Sequence, residues 1–289
     1  MYLPDFEYFS PDSVEEACQL LSKYGSKAKA IAGGTDVLVK MKSDLLAPEV
    51  LIGLGQLSPL KKIEYVPGKG VVIGSGVTHN EVRDSKVIQE KYMSVSQAAH
   101  HMANNQVRNR GTIGGNISNA VPSADMPPIL ISLGATATIV GTKGERTLPL
   151  EDVFAGPNVT VLEQDEIITE FVIPDGNFTG STYMKFGLRA SGALAVVGVA
   201  AAVQVEDGVI KDARIVLGAV SPTPVRAKKA ESFLKDKQAS EELFAEAGVI
   251  ASGECKPISD IRASAEYRKD MVRVFTKRAL DAAVNKGHV

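Results

Sequence analysis

The chain has 289 residues, enough for two or three domains at about 100–200 residues each. Its 44% apolar and 23% charged residues are ordinary for a soluble globular protein, and 32 Lys+Arg against 34 Asp+Glu leave a net charge of −2, with no basic surplus for nucleic acid or an anionic membrane. Two cysteines, Cys18 and Cys255, are too few for a disulfide framework, a cysteine-built zinc site or an iron–sulfur cluster held by four thiolates, whereas glycine is frequent at 26.

The first residues, Met1 to Glu7, show neither a basic n-region nor an apolar h-region, and no apolar run approaches the roughly 20 residues of a membrane span, so a cytoplasmic protein is expected. Ser13 followed by Glu16 has the form of a capping box, and Val14, Ala17, Cys18, Leu21 and Tyr24 share one helical face up to Gly25. A strand, 28–32, runs into Gly33-Gly34-Thr35-Asp36, after which 37–42 resumes helical character. Residues 50–54 read as a buried strand and 63–76 as short strands punctuated by Gly and Pro. Thr78-His79-Asn80-Glu81 is a second capping box, with His79 expected at a polar surface.

A helix over 93–102 leads through Gln106-Val107-Arg108-Asn109-Arg110 into Gly111-Thr112-Ile113-Gly114-Gly115-Asn116. Asp125-Met126-Pro127-Pro128 opens a further apolar helix that Gly134 stops. Strands are expected over 135–140 and 166–173, and Pro174-Asp175-Gly176 marks a domain boundary. Three strand-like runs follow, at 182–188, 196–205 and 209–219, the last two joined by an Asp207-Gly208 hairpin signal. Helices at 224–234, 241–251 and 261–284 complete an α+β pattern. The cations of the last one, Arg262, Arg268, Lys269, Arg273, Lys277 and Arg278, read as a solvated or subunit-facing surface.

The two glycine clusters, 32–36 and 111–116, carry the chemistry. Adjacent glycines let successive amides converge on an anion with no Cβ in the way, and Thr35 and Thr112 add hydroxyls. Each pair taken alone is more often an ordinary turn after a strand. Two matched clusters suggest a diphosphate held from two sides. The chain has no GxxxxGK[ST] phosphate loop and no G-x-S-x-G elbow, and Gly53-Leu54-Gly55 lacks the third glycine of a dinucleotide fingerprint.

Across nearly its whole length the sequence resembles the FAD-binding medium subunit of the molybdenum hydroxylases, the xanthine dehydrogenase and carbon monoxide dehydrogenase family. The carrying residues are Ile31 to Asp36, Gln106 to Asn116, Ala124 to Pro128 and Tyr183-Met184-Lys185. The resemblance implies a two-lobed FAD-binding domain of PCMH type over 1–176, with lobes of about 1–55 and 56–176. A C-terminal α/β domain with a small antiparallel sheet and helices then follows over 177–289. It further implies non-covalent FAD held at Ile31, Ala32, Gly33, Gly34, Thr35 and Asp36 and at Gly111, Thr112, Ile113, Gly114, Gly115 and Asn116, through backbone amides and hydroxyls. A Cβ at Gly33 or Gly114 is expected to collide with the diphosphate. Asn119 is expected to add a polar contact, Asp125 to accept from a hydroxyl of the cofactor, Ile168 to pack on the flavin side and Lys185 to lie near the isoalloxazine.

The implied activity is that of an oxidoreductase subunit, with molybdenum cofactor and [2Fe–2S] clusters supplied by a large and a small partner subunit and with NAD(H) or another acceptor as electron partner. The residues themselves leave two alternatives open, a free-standing FAD oxidase or reductase and a non-enzymatic FAD-binding module. Beside these roles stand plainer ones. Asp36 and Asp125 occupy positions where a carboxylate commonly caps a helix, Lys185 and Arg189 fit a solvated strand face, and Cys18 fits an apolar core.

Overall fold

A computed structural model describes residues 2–285 and shows an α+β protein built on three larger sheets and a two-stranded ribbon, Phe154–Gly156 with Val159–Thr160. The first is parallel, in the order Glu7–Phe9, Val50–Gly53, Ala28–Ile31, with its central strand buried at every position. Helix Val14–Tyr24 covers it with Val14, Ala17, Cys18 and Leu21. The Ser13 hydroxyl accepts from the Glu16 amide at 3.1 Å, but the Glu16 carboxylate accepts from the Asp12 amide, so the expected box closes one residue early. Cys18 is buried, and burial pushes its thiol up to about 11.

The second sheet is antiparallel, in the order Ile63–Val66, Gly70–Gly74, Ile167–Ile173, Thr136–Gly141, Gly144–Pro149. The edge strand 144–149 carries only Leu148 as a large aliphatic side chain and is half exposed, so it gives little apolar alternation to read. Helices Met93–His101 and Met126–Ser132 join this sheet's core to that of the third sheet.

The third sheet pairs Gly180–Phe186, Val197–Glu206, Val209–Gly218 and Val225–Arg226 in antiparallel order. Asp207 (φ 50°) and Gly208 (φ 76°) both sit in the left-handed region, as a two-residue type I′ hairpin turn requires. Ala200, Ala202 and Val216 face the N-terminal helices, whereas Val199, Ala201, Val203, Ile215 and Leu217 face helices Lys228–Leu234, Glu241–Ser252 and Ala265–Asn285. Covering on both faces is why the strand reads as an unbroken apolar run instead of an alternating one. Among the described residues, no helix is long and apolar enough to cross a membrane.

The cations of the last helix are not one solvated surface. Arg268 is 1% exposed, and its guanidinium donates to the Val196 carbonyl at 2.7 Å, the Ala219 carbonyl at 3.2 Å and the Asp260 carboxylate at 2.7 Å. Arg262, and then Arg268, hold the Asp260 carboxyl well below the usual carboxylate range.

Candidate functional site

Both glycine clusters line one cleft of about 700 Å³, together with residues of the first two sheets and of the 192–194 loop. The first cluster follows strand Ala28–Ile31 and enters helix Val37–Lys42. The amides of Gly33, Gly34, Thr35 and Asp36 donate to no backbone or side-chain acceptor among the described residues. Gly34 takes φ 74°, where a Cβ is strained. The Asp36 side chain makes no cap bond and is exposed at the cleft, which sets the plain capping role aside.

The second cluster is not the loop that its glycines suggest. Residues Ile113–Asn119 form a helix capped by Thr112, whose hydroxyl accepts from the Gly115 amide at 3.0 Å. The Ile113 amide donates to the Val77 carbonyl, Gly114 to Ser75 and Asn116 to Thr112. These amides are therefore taken by the protein, because the segment Ser75–His79 lies against Gly111–Gly114 and its carbonyls need donors. The amides of 113–116, which the resemblance assigns to a ligand, are thus engaged within the protein in this structure.

The glycines divide in the same way. A Cβ on Gly33 would stand 1.8 Å from the Arg110 carbonyl oxygen, and one on Gly114 would stand 2.6 Å from both Cβ and O of Ser75. What occupies those positions is neighbouring backbone, so both glycines serve the close approach of one segment to another. Gly115 differs. It is exposed at the cleft, and a Cβ there would meet only Thr112 Oγ1, at 3.0 Å. A glycine inside a helix costs about 1 kcal/mol relative to alanine, so its place here points to an approach from the cleft side.

Ala32, Gly33, Gly34, Thr35, Asp36, Gly111, Thr112, Gly114, Gly115, Asn116, Asn119, Asp125 and Ile168 all line the cleft; Ile31, Ile113 and Lys185 do not. Ile113 is fully buried in the core, and Ile31 packs behind Gly34. Lys185 is held just behind the lining by Asp125, which itself lines the cleft. Its ammonium donates to Asp125 Oδ2 at 2.7 Å while the Tyr183 hydroxyl donates to Oδ1 at 2.7 Å. Burial pushes the Asp125 carboxyl up, against the pull of Lys185 and Tyr183. Asp125 makes no side-chain cap bond, so its capping role is also set aside. The carboxylate ties the cleft wall to strand Gly180–Phe186. Ile168 lies beside a register shift in strand Ile167–Ile173 and is buried against the cleft.

The sequence reading missed Lys40 and misplaced His79. Lys40 donates to Asn119 Oδ1 at 2.8 Å, so helix Val37–Lys42 after the first cluster is bridged to helix Ile113–Asn119 of the second. Nothing in the spacing marks this, since 79 residues separate the pair. The Thr78 box does form, but His79 is 1% exposed, with its amide on the Gly111 carbonyl. It is the first residue inside a cap, a position usually solvated. Here the second cluster covers it. Burial, aided by the Arg108 charge, lowers the His79 imidazole to about 3.

An unfolded chain protonates His79 near pH 6.5, whereas the native protein keeps it neutral down to about pH 3. The stabilising effect is complete above pH 6.5 and is lost as pH falls through that window, by at most about 1.4 kcal/mol per pH unit. Urea unfolding of His79→Leu should therefore show a flatter pH dependence than the parent between pH 6.5 and 4. Equal slopes would show that the imidazole is not held neutral.

A family model described as the FAD binding domain in molybdopterin dehydrogenase matches residues 4–176, and one described as the CO dehydrogenase flavoprotein C-terminal domain matches 181–283. The carbon monoxide dehydrogenase medium chain of Hydrogenophaga pseudoflava is 36% identical over 284 residues, covering 98% of each chain. The nicotine 6-hydroxylase medium subunit of Paenarthrobacter nicotinovorans is 35% identical over 280 residues, covering 97% of this chain and 98% of the other. A solved structure of the Hydrogenophaga pseudoflava carbon monoxide dehydrogenase superposes with a TM-score of 0.96 at 36% identity, over 99% of this chain and 100% of that one. The chain thus belongs to the FAD-binding subunits of the molybdenum hydroxylases, the family of carbon monoxide and xanthine dehydrogenases, and is an oxidoreductase subunit with an FAD-binding domain.

Proposed function

We propose that the cleft holds non-covalent FAD and that this chain carries electrons between [2Fe–2S] clusters of a small partner subunit and NAD or another acceptor. A large molybdenum subunit acts on the organic substrate within the same cytoplasmic complex. Residues 1–176 are assigned to the FAD-binding domain, in lobes of about 1–55 and 56–176, and residues 177–289 to the C-terminal domain, with 1 and 286–289 outside the described residues. The observation that carries this reading is the row of four unengaged amides, Gly33 to Asp36, in a cleft that the open face of Gly115 also lines.

These residues fit a diphosphate. Free amides are donors awaiting an anion, and a glycine without a protein neighbour in front of it leaves room for one. The division of labour differs from that expected of two equivalent nests. The first cluster donates amide hydrogens, whereas the second offers a surface without a Cβ and the side chains of Asn116 and Asn119. Asp125, clamped by Tyr183 and Lys185, presents a fixed carboxylate at the wall. Ile168 closes the apolar side. When bound, FAD supplies the exchange between hydride and single-electron transfer. The chain's own residues hold it, orient it and exclude water from part of its surface.

The purified chain, whole, should carry or take up FAD, visible as flavin absorption that survives desalting. A protein that stays colourless after incubation with FAD would overturn the reading. Iron and molybdenum co-purifying with two further chains would support the complex, whereas a catalytically complete single chain would favour a free-standing flavin enzyme.

A further inference from the structure

We propose that Lys40 is the counter-charge for the cofactor's diphosphate, an assignment that rests on the reading of the cleft given above. A diphosphate needs compensation that neutral amides give only in part, and the cleft walls bring carboxylates of their own: Asp36, Asp125, Glu163 and Glu166. Two of these are already matched, Asp125 by Lys185 and Glu166 by Arg146 at 2.7 Å each. Asp36 and Glu163 form no ion pair among the described residues and make the cleft less hospitable to an anion. Against them stand two lining ammonium groups, Lys29 and Lys40.

Lys29 lies exposed on strand Ala28–Ile31. Lys40 is half-buried, one turn beyond the free amides of Gly33 to Asp36, and is paired with no carboxylate among the described residues. Its Nζ is held at 2.8 Å by the neutral Asn119 Oδ1, at the last residue of helix Ile113–Asn119. That single bond ties the cation to a second wall residue of the same cleft and leaves its other two hydrogens free to donate. A structural bridge alone would need no charge. An ammonium placed among unmatched carboxylates and unengaged amides is suited to an anion with several oxygens.

The test uses the full chain freed of flavin and titrated with FAD and with riboflavin, which lacks phosphate, by flavin fluorescence at low and high salt. Lys40→Gln should bind FAD about tenfold more weakly at low salt, the lower range for a charge-assisted hydrogen bond, and lose part of the parent's salt dependence. Its riboflavin affinity should be unchanged. Lys40→Arg should recover most of the FAD affinity, which also covers the case in which Lys40→Gln folds poorly. FAD binding by Lys40→Gln within twofold of the parent, or an equal loss for riboflavin, would overturn the assignment. A parent chain that binds neither flavin refutes the cleft reading itself, a different failure.

Discussion

Replacing Arg268 by alanine is expected to lower the unfolding free energy by about 2–5 kcal/mol, from two buried carbonyls left unsatisfied at about 1–3 kcal/mol each. The guanidinium is nearly sealed from water, and removing it strands the Val196 and Ala219 carbonyls along with one bond to Asp260. Arg262 keeps a salt bridge to Asp260 at 2.6 Å, so the carboxylate is not abandoned, and the loss falls mainly on the two carbonyls and the cavity. Both carbonyls border the strands that form the third sheet, which the last helix must cover. Arg268→Lys should recover only part of the loss, because an ammonium on a shorter reach cannot span three acceptors set around a planar fork. Denaturant unfolding measures the effect directly. A change below about 1 kcal/mol for Arg268→Ala would show that these bonds are not made in the native protein.

The second large effect separates two adjacent-glycine motifs that look alike. Gly33→Ala places a methyl group 1.8 Å from the Arg110 carbonyl oxygen and 2.5 Å from its carbon, and backbone on both sides cannot yield without parting the clusters. The protein should lose stability by about 1–3 kcal/mol, the cost of overpacking, and should lose its flavin with it. Gly115→Ala should behave in the opposite way as a fold. Its Cβ meets only Thr112 Oγ1, which must give by a few tenths of an ångström, and alanine favours the helix by about 1 kcal/mol. The apoprotein should be as stable as the parent or more so, yet retain less FAD. Stability and flavin-to-protein absorbance ratio, measured on both variants, decide the matter. Full flavin occupancy in Gly115→Ala would remove the second cluster from the cofactor site.

Local order was the legible part of this chain. Hydrophobic spacing placed helix Val14–Tyr24, and Asp207-Gly208 announced its hairpin, because each depends on residues within a turn or two of one another. The glycine clusters could be recognised as chemically matched for the same reason. What the glycines were for could not. The same Gly-Gly pair yields free amides after strand Ala28–Ile31 and engaged amides in helix Ile113–Asn119, and the difference lies in Ser75 and Val77, distant in the chain. His79 misled for a related cause, since a capped helix start is normally wet unless another segment happens to cover it.

Composition and motif order, with the family resemblance those motifs carry, therefore gave the class of protein: an α+β chain with too few cysteines for thiolate-built metal centres, carrying two glycine clusters and the marks of an FAD-binding subunit. Tertiary structure alone decided which charges matter. It sent Arg268 into the core, paired Lys185 with Asp125, and set Lys40 on Asn119. A side chain's charge is written in the sequence, but its partner and its distance from water are properties of the packed chain, and those determine whether it stabilises the fold, clamps a wall or meets a ligand.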